Sequence, residues 1–186
     1  MQNRRIKQVA IVALASFAVS IAFMYRCAGK FEGNGMLQTS LLPFYPRHQI
    51  RFDAVKLNSN STKEFRFRGA PAADMRFVFL IIGTSLRSDE INRSMSIMDV
   101  ELLETKPQLR RICKATGRPS NTEYSSAWKV GGPDNHPVSL WHTNCLKLPL
   151  KPGAVYVLRI SIRAGTEKED VLLIPVLEGG GIAIES

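Results

Sequence analysis

From residue 48 onward the chain divides into short apolar or alternating runs, about 8–15 residues apart and separated by polar turns. No stretch there is long and amphipathic enough for a major helix, so the spacing selects strands. In Glu64-Phe65-Arg66-Phe67-Arg68 phenylalanine alternates with charge, as a half-buried strand requires. Met75–Ile82 carries FVFLII, too short for a typical helix and rich in β-branched and aromatic residues, and reads as a central strand buried on both faces. In LKLPLKPGAVYVLRISIRAG, Pro152-Gly153 suits the centre of a type II turn. The strand after it places Tyr156, Leu158, Ile160 and Ile162 on one side and Arg159, Ser161 and Arg163 on the other. Gln49–Leu57, Ile97–Leu103, Glu123–Val130 with Trp128, Val138–Leu146 with Trp141, Val171–Leu177 and a short Ile182–Ile184 complete the set. Eight or nine strands with turns between them predict an all-β fold, an antiparallel β-sandwich of Ig-like or jelly-roll-like kind, with a closed barrel as the neighbouring alternative. Short helices are expected only around Ser88–Ser94 and Pro107–Lys114, and the triple glycine 179–181 is expected to be a turn or bulge.

The N-terminus follows a different rule. Val9 to Tyr25 is seventeen residues without a charge, preceded by Arg4, Arg5 and Lys7 and followed by Arg26 and Lys30. As a helix it would be roughly 25 Å long, close to the thickness of a hydrocarbon core. The flanking charges keep Met1–Gln8 on the cytoplasmic side and send the remainder across, so residues 1–30 read as a signal anchor or transmembrane segment. Cleavage is the competing reading, because Ser20-Ile21-Ala22 offers small residues after an apolar core, leaving a soluble periplasmic product. Cys27 follows Arg26, where lipid attachment needs a small residue. Residues 31–47, with mixed Gly, Pro and polar residues and no sustained period, read as a linker, and 48–186 as one sandwich domain.

Charge follows that division. The chain has 25 Lys and Arg against 16 Asp and Glu, a net of +9, but residues 1–30 hold five of the cations and none of the acids, which leaves +4 beyond them. The excess is mostly a topology signal, and it removes the main argument for nucleic-acid binding. Within the exported domain Lys106, Arg110, Arg111, Lys114 and Arg118 concentrate five cations in thirteen residues of expected loop. Arg110, Arg111, Lys114 and Arg118 are the candidate partner-binding residues, for an acidic protein or for lipid headgroups. Cys113 and Cys145, in an oxidising compartment, can close a disulfide; two buried free thiols are the alternative.

The residues that carry chemistry do not assemble into a set. His136 and His142 lack metal-ligand spacing, and His142-Thr143-Asn144-Cys145 is one isolated pair. Gly83-Thr84-Ser85-Leu86-Arg87 lacks the second glycine of a nucleophile elbow. Asp89-Glu90 and Glu167, Glu169 and Asp170 read as solvated loop charge. Asn60-Ser61-Thr62 and Asn92-Arg93-Ser94 match the glycosylation pattern. No cofactor or metal is implied, and the pattern points away from an enzyme.

In STKEFRFRGAPAADMRFVFLII and LKLPLKPGAVYVLRISI, with an N-terminal anchor ahead of both, the chain resembles small, uncharacterised β-sandwich proteins of bacterial envelopes, some of which look like immunity proteins encoded beside secreted toxins. The resemblance covers roughly residues 49–177. It implies a protein held at the inner membrane by residues 9–25, with its domain in the periplasm, that neutralises a secreted toxin or effector by direct binding. A structural subunit of an envelope assembly, such as a secretion or pilus machine, is the alternative. The small residues Ala10, Ala13, Ala15, Ala18 and Ala22 would then let the apolar helix approach others closely.

Overall fold

The computed structural model of the chain describes residues 30–42, 45–82, 94–118, 127–131, 137–142, 145–165 and 171–180. They form thirteen strands and, among the described residues, no helix. In chain order these are β1 Glu32–Gly33, β2 Met36–Leu42, β3 Tyr45–Arg51, β4 Val55–Lys56, β5 Ser61–Arg68, β6 Ala73–Ile82 and β7 Ile97–Lys106. They continue as β8 Arg110–Gly117, β9 Ala127–Gly131, β10 Pro137–His142, β11 Leu148–Leu150, β12 Val155–Arg163 and β13 Leu172–Gly180.

All pairings are antiparallel, in two sheets. The first runs β1-β5-β12-β7-β8, and the second β2-β3-β13-β6-β10-β9, with β4 beside β3 on β13 and β11 beside β10 on β6. The inner residues of both sheets make one core. Phe65, Phe67, Met98, Val100, Leu102, Tyr156, Leu158, Ile160 and Ile162 meet Ile50, Met75, Phe77, Phe79, Leu148, Leu173 and Leu177 in a single cluster. This is a β-sandwich-like arrangement, and it follows from period-two burial: β12 alternates buried with open positions along its whole length, placing Tyr156, Leu158, Ile160 and Ile162 inside as the pattern required. Aromatic rings dominate one end. Phe67 stacks on Tyr156 at 5.4 Å between centroids and meets Phe52 at 5.3 Å, and Phe52 meets Phe65 at 5.2 Å. The Tyr156 hydroxyl is satisfied inside this core, accepting the Lys151 N–H at 2.7 Å. Burial holds its ionisation above the usual tyrosine range.

The run FVFLII is closed on both sides at the positions that can be read: Phe77, Val78, Phe79 and Leu80 are all buried, the first and third in the main core, the other two with Val176 in a second cluster on the outer face. Its register against β13 and β10 makes it an interior strand.

Several expectations are corrected. Residues 31–47 are not only a linker, since β1 and β2 lie within them and extend the two sheets. Edge strands with few inward apolar residues, of which Leu37 on β2 is one, carry no sustained apolar period, and that hid them. Pro107–Lys114 is a hairpin turn entering β8, not a helix; Cys113 and Ala115 pack against the core, and both are too small to mark a strand by hydropathy. The turn at Pro152-Gly153 is present, with Ala154 N–H bonded to Lys151 C=O at 3.2 Å, but it is not type II, because Gly153 is not among the glycines at positive φ. Gly179 and Gly180 continue β13 instead of turning. The apolar segment 9–25, Cys27, most of Ser88–Ser94, the Gly83–Arg87 segment, the paired carboxylates and Ile182–Ile184 lie outside the described residues. Among the described residues no helix is long and apolar enough to cross a membrane.

Candidate functional site

Three of the four candidate partner-binding residues, Arg110, Arg111 and Lys114, lie on β8, and Arg118 follows its last residue. β8 ends the first sheet: it pairs with β7 along one side, and among the described residues no strand pairs with the other. Arg110 reaches back to Glu104 at 2.9 Å, and Glu104 is a buried carboxylate that depends on this partner. Arg111 bonds Glu101 at 2.6 Å. Among the described residues Lys114 stands opposite Glu101 in register without an ion pair, and Arg118 meets the Met95 sulfur at 3.6 Å and no carboxylate. The basic cluster is therefore two anchored cations and two open ones.

Sequence reasoning missed the residue at the tip. Lys106, Pro107, Gln108 and Leu109 are all exposed where β7 turns into β8, and Leu109 is 78% exposed, the most open of the exposed large apolar side chains among the described residues. This leucine stands in solvent directly before Arg110 and Arg111. Its one signal was an isolated apolar residue in a polar turn, which also occurs by chance.

Cys113 and Cys145 form a disulfide with Cα atoms 5.9 Å apart. The bond ties the β8 edge to the segment leading into β11 on the other sheet, where Cys145 C=O accepts the Phe77 N–H at 2.9 Å. With its sulfur so engaged, Cys145 is not available to pair with His142 on a metal, and among the described residues no three His, Cys, Asp or Glu side chains come together as ligands. Asn60 uses its side-chain oxygen to accept the Ala164 N–H at 2.8 Å. Trp128 and Trp141 lie on β9 and β10, where Trp141 pairs in register with Phe79.

A second feature was not anticipated. On the second sheet a groove of about 730 Å³ opens where β2, β3, β13 and β6 run side by side near Gly179 and Gly180. Arg76 grips Glu178 there through Nε at 2.9 Å and Nη2 at 2.6 Å, and Lys147 stands 3.7 Å from Asp74. Thr39 Oγ1 lies 3.1 Å from His48 Nδ1, and partial burial lowers the His48 pKa, keeping the ring neutral at neutral pH. Leu146, next to the disulfide, forms an exposed apolar border.

No protein-family model matches the chain, and no curated protein matches it in sequence.

Proposed function

We propose that the protein is a membrane-tethered binding module that docks an acidic protein partner along the β8 edge. The observation that supports this reading is the exposed Leu109 tip followed by a strand that, among the described residues, has no partner on one side, and by the cations Lys114 and Arg118, which pair with no described carboxylate. Such an edge offers backbone hydrogen bonds to an added strand, an apolar anchor, and cations that steer an acidic surface towards it. Joined to the signal-anchor reading of residues 9–25 and the resemblance to envelope proteins, the specific role is that of an immunity protein that neutralises a secreted effector in the periplasm by occlusion. Among the described residues no strand pairs with the outer side of β2 on the other sheet, which favours a second reading, a subunit of an envelope assembly that joins neighbours at both edges.

The test is purification of the tagged full-length protein from its native membrane in mild detergent, with the wild type beside a Leu109→Ala, Lys114→Glu, Arg118→Glu variant. A soluble acidic partner held by the wild type, lost from the variant and weakened by salt supports the inhibitor. Several membrane components retained through β2 support the assembly subunit. A partner held equally by the variant removes the β8 edge from the account.

A further inference from the structure

We infer that the groove on the second sheet is a binding site for a neutral oligosaccharide, independent of the β8 edge. Its floor is β13, which lines it with Glu178, Gly179 and Gly180, two of the three without a side chain. A Cβ at Gly179 would stand 2.2 Å from the Asp74 carbonyl oxygen of β6, so the close approach of the two strands there needs glycine. The walls stand on β3 and β6, which flank β13 and so lie two strand spacings apart, about 10 Å. A chain of sugar rings fits a trough of that width, and the volume of about 730 Å³ is that of a ligand site.

The chemistry of the walls selects the ligand. Arg47 and Arg76 oppose Asp74 and Glu178, so the lining has no net charge and disfavours a strongly anionic or cationic guest. Arg76 spends Nε and Nη2 on a single oxygen of Glu178, so a guanidinium and a carboxylate line the groove together. A hydroxyl suits a lining of mixed donors and acceptors, because it can accept from the one and donate to the other. Gln49 on β3 and Ser40 on the neighbouring β2 add a planar amide and a second hydroxyl partner, and Leu146 supplies an apolar surface for ring C–H faces. A peptide added as a strand is excluded by position: β13 and β6 are paired on both sides, so the floor has no free backbone edge to extend.

The experiment is calorimetric titration of the full-length protein, in a non-glycosidic detergent, with cellotetraose, chitotetraose, maltotetraose and the acidic tetragalacturonate. One neutral tetrasaccharide is expected to bind with a Kd of about 1 mM or tighter. Ser40→Trp, which fills the trough from an exposed edge strand, is expected to weaken it by roughly tenfold with no change in melting temperature. Glu178→Gln, which removes the carboxylate acceptor, is expected to weaken it as well. No binding by any neutral tetrasaccharide, binding of tetragalacturonate alone, or equal binding by Ser40→Trp overturns the inference.

Discussion

The outer faces of the two sheets are built on opposite principles. On the first sheet the outer face is a ladder of charge and hydroxyl pairs across four strands. Glu64 bonds Arg159 at 2.7 Å, Arg159 reaches Glu101 at 3.4 Å and Glu101 accepts Arg111; one row along, Thr62 meets Ser161 at 2.9 Å and Thr116 meets Asp99 at 2.6 Å. On the second sheet the centre of the outer face is apolar and closed, with Val78 and Val176 fully buried and Leu80 nearly so. Among the described residues, polar character returns at the end that holds the groove. The first sheet spends its outer face on solubility, where each exposed pair contributes little energy. The second sheet is buried twice over and carries more of the stability per residue.

The sharpest way to break that contrast is a buried charge. Val78→Asp is expected to cost about 3–5 kcal/mol, the penalty of a charge without a partner, and to leave little folded protein in a urea titration. A mild result would show that the outer face of the second sheet is as forgiving as that of the first. Next in size is the covalent tie between the sheets. Replacing both Cys113 and Cys145 by alanine should cost about 3–4 kcal/mol on the chain-entropy model, measured as the difference between the variant and the oxidised wild type, and a reductant should abolish that difference.

Arg110→Ala probes the one place where the first sheet buries a charge. It strands the Glu104 carboxylate and is expected to cost about 1–3 kcal/mol, with Glu104→Gln in the same background restoring most of the loss. Arg159→Ala, on the open ladder, should cost about 0.2–1 kcal/mol and less in high salt. A loss as large as that of Arg110→Ala would mean that the ladder is structural. The smallest effect is His48. Its folded pKa lies below its unfolded value because burial disfavours the charged ring, so the folded state binds fewer protons there and stability falls as pH drops through the ordinary histidine pKa. His48→Gln should flatten that part of the pH profile, and an unchanged slope would assign it to another group.

Both outer faces could be read locally to the extent that their period is local. FVFLII announced a strand closed on two sides, and VYVLRISIR announced one wet and one dry face, because side-chain direction alternates residue by residue with no help from distant contacts. β8 escaped because its inward residues include Cys113 and Ala115, small enough to leave a mainly polar pattern, and because its three-dimensional partners are carboxylates on β7. β1 and β2 escaped because an exposed edge strand is held by backbone hydrogen bonds, which leave no mark in hydropathy. The groove had no local signature at all. It joins residues 38–40, 47–49, 74–76, 146 and 178–180, and part of its floor is Gly179 and Gly180, from a run whose default reading is a turn.

The amino-acid sequence by itself determined the all-β class, the two best strands and the cysteine pair able to bridge, since each depends on period two or on residue type. Only the tertiary structure decided that the basic cluster is an edge strand with two of its cations already neutralised, that Leu109 stands at its tip, and that the terminal glycines floor a groove. Those outcomes depend on which distant strands become neighbours, and neighbour choice is set by the joint burial of two apolar faces, a property of the whole core and of no single segment.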